Sequence, residues 1–174
     1  MNVEYLVYKM KHGKHTNLWI ELIVVVASVL ALMMLLYIVM MVSFQNGADS
    51  VGVTMKLAKQ VSDRILDNPT QEQVKAVSMM IRCVAHLVLF FVVGVVTAFV
   101  GMVLFRRYFR IIGVVAAGMI CYALAYYTEY YKQFIEGRHF HMFDVTLNWY
   151  GSLAGIACMV LSYFVNRLLV KLSS

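Results

Sequence analysis

The sequence has a single proline in 174 residues, so little besides capping residues interrupts its helices. Charge is scarce as well: Asp, Glu, Lys and Arg make up 14% of the chain, against about a quarter in an ordinary soluble domain. Three cysteines (Cys83, Cys121, Cys158) stand singly inside apolar runs without a CxxC pair. That excludes a disulfide framework and a cysteine zinc site, and all three are read as small packing residues. The first apolar run is too long for a signal-peptide core and lacks a cleavage site, so it reads as a retained span.

What is present is apolar: 62% hydrophobic residues with 13 methionines and a mean hydropathy of +0.76. A soluble domain of this size cannot hide that much apolar surface. The chain is therefore expected to be an all-α integral membrane protein with four transmembrane helices, over about residues 18–42, 79–105, 111–131 and 144–170. Each is long enough to cross ~30 Å of hydrocarbon at ~1.5 Å per residue. Residues 1–17, with Lys9, Lys11 and Lys14, form a short basic arm, a topological signal and not a nucleic-acid site. Residues 18–174 form one membrane domain.

Between the first two spans lies the only extended polar segment. Val53, Leu57, Val61 and Ile65 recur every fourth residue, which predicts a short amphipathic helix on the membrane surface. Asp67-Asn68-Pro69 ends it. Thr70 with Gln73 has the form of a capping box, so the next helix is expected to start at Gln71.

Orientation follows from the cations. With four spans, the N-terminal arm, the Arg106–Arg110 turn and the C-terminal end share one side. That side holds eight Lys and Arg against Glu4 and Glu21, while the other holds seven cations and seven carboxylates. Both termini are expected to be cytoplasmic.

Depth counting then groups the polar residues. About 20 residues back from Phe105 is His86, with Arg82 one turn further. The same count forward from Ile111 reaches Glu129 and Lys132, and back from Arg167 it reaches Asn148 and Asp144. Gln45 lies just past the first span. These residues converge on one level, the outer interface, and small residues (Gly94, Gly101, Gly151, Gly155) follow them inward on the same faces, which places those faces at helix contacts. Below Asn148 no polar path continues, which argues against a channel. The aromatic run Tyr122 to Tyr131 reads as an interfacial belt.

In this setting the chain resembles the VanZ-like family. Ser43-Phe44-Gln45 with Ser50-Val51-Gly52 is similar to the family's element after its first span. Arg82-Cys83-Val84-Ala85-His86 resembles its Arg-Lys-x-Ala-His segment, with Gly94 at the later glycine. Glu129, Phe134, Gly137, Arg138, Asp144, Asn148, Gly151 and Gly155 fall at the spacing of its closing signature. The chain departs from the family at Cys83 (Lys), Leu89 (Glu), Phe90 (Tyr), Thr128 (Asp) and Lys132 (Gln). The resemblance implies a multi-pass protein of the bacterial cytoplasmic membrane, in a family whose namesake confers low-level resistance to the glycopeptide teicoplanin and whose members mostly lack an assigned activity.

The individual residues carry paired readings. Arg82 is an anion-binding residue or an interfacial anchor. His86 is an acid/base, a donor to phosphate, or a histidine satisfied by a neighbouring helix. Glu129, Arg138 and Asp144 either hold the hairpin between the third and fourth spans or contribute to a ligand site, where the guanidinium fork suits carboxylate or phosphate. His139-x-His141 does not set two rings on one helix face, and no metal or cofactor is expected.

Three functions follow. The first is a membrane protein whose outward-facing pocket binds an anionic envelope component, either a lipid-linked wall precursor or a phospholipid head group. Arg82, Lys132 and Arg138 hold the anion there, Glu129 and Asp144 orient them, and Gln45, His86 and Asn148 complete the contacts. The second is an enzyme acting on the same class of lipid, with His86 and Glu129 or Asp144 as acid and base. The third is a structural subunit whose glycine faces join another membrane protein.

Overall fold

The computed structural model describes residues 3–43, 47–105 and 110–173 and, within them, the side chains of all but 3–18, 21, 42 and 47–50. The described residues form an all-α bundle of five helices: α1 (Val3–Ser43), α2 (Gly47–Ile65), α3 (Gln71–Leu104), α4 (Arg110–Lys132) and α5 (Met142–Ser173). All but α2 are long and apolar enough to cross a membrane, so this is a multi-pass helical membrane protein. Helix α1 begins at Val3 and runs without a break through the basic stretch into the first span.

Helix α3 starts where its cap dictates. The Thr70 hydroxyl accepts from the Gln73 backbone N–H at 3.4 Å, and the Gln73 side chain accepts from the Thr70 N–H at 2.8 Å. Together these satisfy two donors that the first turn would otherwise leave unpaired. Thr70→Ala is expected to cost ~0.5–2 kcal/mol, read as a lower thermal midpoint with the fold retained; an unchanged midpoint would show that tertiary packing alone sets this end.

At 34 residues, α3 is ~51 Å long, well beyond the ~30 Å of hydrocarbon. Its polar first three turns, Gln71 to Arg82, therefore extend past the apolar part, and α2 packs along them. Val51 and Met55 of α2 meet the Arg82–His86 level of α3, while Lys59 and Asp63 meet Gln71 and Val74. The two helices form an antiparallel hairpin. The contact face of α2 is not its apolar stripe, which stays exposed as a stripe turned to a membrane surface does. Ala58 and Ser62 are buried against α3, whereas Val53 is 60% and Ile65 74% exposed. Small side chains let the two backbones come together, and the apolar stripe faces away.

Helix α3 is the hub and touches each of the other four. Its tightest seams run over glycines. Gly94 lies on the backbone of Ser152, Gly155 on the backbone of Phe91 and Val95, and Gly151 against Leu87 and Phe90, all between α3 and α5; Gly101 and Gly113 face each other between α3 and α4. Around these contacts lies a core of mostly small or branched residues, including Val93, Ala98, Ala117, Cys121, Ala125 and Val145. Of the three cysteines only Cys121 is buried; Cys158 is exposed and Cys83 half-buried. The hydroxyls of Ser28, Thr97 and Thr128 donate to carbonyls one turn back, which satisfies them without a partner helix. Helix α1 is peripheral, with only 6% of its span buried.

Candidate functional site

The α2–α3 hairpin and the turn between α4 and α5 meet at one end of the bundle. There α3 contributes Arg82 and His86, α4 ends in Glu129 and Lys132, and α5 begins with Asp144 and Asn148. Arg138 is carried by the turn between them, where Gly137 takes a φ of +73°. That left-handed backbone conformation suits glycine and sets the direction of the chain into Arg138.

A cleft of about 470 Å³ opens here, walled by Arg82, Cys83, His86, His141 and Asp144 on its polar side and by Val51, Met55, Met79 and Phe143 on its apolar side. A smaller lobe of about 120 Å³ adjoins it, with Lys132, Arg138 and His139 added to the wall. Arg82, His141, Asp144 and Val51 border both spaces, so the two adjoin across shared walls as two lobes.

Beneath this cavity the polar residues pair among themselves. Glu129 and Lys132, 0% and 4% exposed, form an ion pair one turn apart on α4. His86 Nδ1 lies 3.1 Å from Asn148 Oδ1. An amide oxygen accepts, so Nδ1 carries the proton in this arrangement and Nε2 is the ring's acceptor. Three buried atoms at this level have no hydrogen-bond partner among the described residues: Glu129 Oε2, Asn148 Nδ2 and Ser152 Oγ. Ser152 sits one turn beyond Asn148, with Cys121 beside it. The buried polarity thus reaches one turn deeper than Asn148, where the sequence alone ends it, and the signal was available in the i, i+4 spacing of Asn148 and Ser152.

Arg138 does two things at once. Its Nη1 donates to the Ser43 carbonyl at 3.0 Å, tying the end of α1 to the α4–α5 turn and placing a cation at the negative end of a helix dipole. Burial pulls its guanidinium below the ordinary arginine range, and the nearby Arg82 adds to this while Glu129 and Asp144 oppose it. Two guanidiniums that repel each other, with Asp144 the carboxylate on the lobe and Glu129 already paired with Lys132, make an environment that an anion relieves.

The structure therefore brings together Arg82, His86, Lys132, Arg138 and Asp144 around the cavity and sets Glu129 and Asn148 below it. Glu129 does not line the cavity. Gln45 lies outside the described residues. Gly94, Gly101, Gly151 and Gly155 pack against helices of this same chain, so that packing, and not contact with a second protein, uses their close-approach faces. No group of three or more His, Cys, Asp or Glu that would hold a metal occurs among the described residues. Sequence reasoning missed Lys75, Ser78 and Met79, which also wall the cleft; Lys75 lies seven residues before Arg82 on the same face of α3, and that spacing is the signal. Comparison of the chain with protein-family models, curated proteins and solved structures gives no match in any of the three, so the geometry alone carries what this site is for.

Proposed function

We propose that the chain is a VanZ-like membrane protein of the bacterial envelope whose cavity binds an anionic head group, with both termini cytoplasmic and the cavity facing outward. The observation that carries the binding reading is the placement of Arg82 and Arg138 on one small lobe that holds Asp144 as its lining carboxylate. Lys132 contributes less than its charge implies, because Glu129 neutralises it below the cavity floor. Arg138 retains donors for a ligand after bonding Ser43, since a guanidinium carries five N–H groups. The excess of cations at the opposite end of the chain's spans supports the orientation, and the band of stacked and edge-on tyrosines on α4, such as Tyr126 over Tyr130 at 6.1 Å, supports an interfacial level for the cleft without choosing a side. Resistance to a glycopeptide antibiotic, through a lipid-linked wall precursor as ligand, is the context that the family resemblance supplies.

The test is native mass spectrometry of the protein released from membranes of mixed lipid, with Arg82→Gln as the variant. Each hydrogen bond to a charged group contributes ~1.5–3 kcal/mol, so the variant is expected to lose anionic lipid by about tenfold or more while zwitterionic lipid is unaffected. Equal retention of both lipid classes by the wild type, with no change in the variant, would overturn the reading.

A second reading, an enzyme acting on such a lipid, draws on one observation: His86 and Asp144 wall the same cleft. Glu129, paired and outside the cavity wall, is the weaker candidate for acid or base. Retained lipid binding with lost turnover in His86→Gln would favour this reading over simple binding.

A further inference from the structure

The cleft does not end at Arg82. A third space of about 620 Å³ lies between α2 and α3 nearer their connecting turn, walled by Met55, Lys56, Lys59, Asp63, Lys75 and residues of the Asn68–Gln71 turn. Met55 and Lys75 border both this space and the main cleft. The three spaces therefore adjoin end to end and make a trough with shared walls, running from Arg138 along the α2–α3 hairpin. Its charges are unevenly placed. Arg82, Lys132 and Arg138 stand with Asp144 at one end, and Lys56, Lys59 and Lys75 with the single carboxylate Asp63 at the other. Between them the wall is largely uncharged, with Val51, Met55, Met79 and Cys83. None of Lys56, Lys59 and Lys75 forms an ion pair with another described residue. Lys75 and Arg82 are seven residues apart on α3, two turns on one face, which sets the two cationic ends ~10 Å apart along the helix.

A lone phosphate fills only the small lobe between Arg82 and Arg138 and leaves the rest of the trough and its lysines without a role. Resting on the anion-binding reading above, we infer that the trough takes an elongated ligand with two anionic groups about 10 Å apart, joined by an uncharged spacer. The first group, a phosphate or carboxylate, sits at Arg82 and Arg138; the second sits at Lys56, Lys59 and Lys75; the spacer lies along Met55 and Met79. Joining two weak contacts through a spacer of matching length makes the second contact intramolecular, so affinity depends on that length.

The experiment uses the full chain in nanodiscs of phosphatidylcholine, titrated calorimetrically with linear alkane bisphosphonates of increasing spacer length and with monophosphonates of the same chain lengths. Affinity is expected to peak at an extended spacer of about 10 Å and there to exceed the matching monophosphonate by at least tenfold. Lys56→Gln with Lys59→Gln removes that excess and leaves monophosphonate binding unchanged, because both lysines border only the third space, and their exposure gives no reason for misfolding; Arg82→Gln weakens both ligands. A phosphonocarboxylate of the optimal length assigns the second group: affinity equal to the bisphosphonate fits a carboxylate, and a fall to the monophosphonate level fits a phosphate, the length optimum standing in either case. Monophosphonate binding without a length optimum, or an optimum that survives the lysine substitutions, would overturn this inference and leave the anion-binding reading in place. Absence of binding by every phosphonate would overturn both.

Discussion

Glu129→Leu is expected to destabilise the protein by ~3–5 kcal/mol, while Glu129→Leu combined with Lys132→Met is expected to return close to wild-type stability. The reason is burial. Glu129 is fully enclosed and Lys132 is 4% exposed, reaching only the wall of the small lobe, so water is a poor alternative partner for either charge. Removing the carboxylate leaves an ammonium enclosed in a site that already holds Arg82 and Arg138, and the cost is that of an uncompensated buried charge. Removing both charges and filling the space with apolar side chains removes that cost and the desolvation penalty of the pair together. Equilibrium unfolding in lipid, on wild type, both single variants and the double, gives the coupling as a double-mutant cycle. Single effects that add in the double variant would show that the two residues act independently. The same double variant separates structure from ligand binding at Lys132: with the pair serving the fold, anionic lipid is retained through Arg82 as in the wild type.

The helices were largely legible because their signals are local. Thr70 and Gln73 mark an N-terminus by spacing alone, and the observed start of α3 at Gln71 is the expected one. The third and fourth spans begin and end within about three residues of their sequence limits, because basic or polar turns bound them and single-proline composition leaves the interiors intact. What was not legible was which apolar face meets protein. Val53, Leu57, Val61 and Ile65 form the most regular apolar stripe of α2, yet Ala58 and Ser62 make its contact with α3. In a membrane protein, lipid and protein interior are both apolar, so hydrophobic periodicity marks a face without naming its neighbour; side-chain size is the better guide.

The candidate site divides in the same way. Depth counting needs only helix rise and span length, and it gathers Arg82, His86, Asp144 and Asn148 at one end of the bundle from residues up to 66 positions apart. Pairing needs tertiary geometry. Only the Glu129–Lys132 pair is local, an i, i+3 spacing on one helix; nothing local says that Arg138 spends a donor on the Ser43 carbonyl or that Asn148 bonds His86. The effect on function is a redistribution of roles. Arg82 and Arg138 border the small lobe and Lys75 lies beyond in the main cleft, while Glu129 pairs within α4 and is not among the lining residues.

Gly155→Leu is expected to prevent α3 and α5 from packing and to yield little folded protein. A Cβ at Gly155 overlaps the Phe91 carbonyl and crowds the Val95 backbone; one at Gly94 overlaps the Ser152 carbonyl in the same way. These obstacles are main chain within helices, so no rotamer change clears them, and the helices must separate. Overpacking a well-fitted core costs ~1–3 kcal/mol where side chains are able to adjust; here the cost is expected at or beyond the upper end of that range, because the close seam that brings His86 next to Asn148 opens as a whole. Gly52→Ala is the control. It lies inside α2 with nothing near a new Cβ, so the substitution lowers the entropy of the unfolded chain and favours helix, for a gain of ~0.5–1 kcal/mol. Size-exclusion profile and thermal midpoint in detergent report both. If Gly155→Leu kept a wild-type profile and midpoint, the backbone contact between α3 and α5 would have to be absent in the membrane, and the cleft assembled on that contact would go with it. If it fails to fold while Gly52→Ala gains stability, the site depends on how closely two helices approach some two turns below it, and substitutions along that seam should then weaken anion binding without touching a single cation.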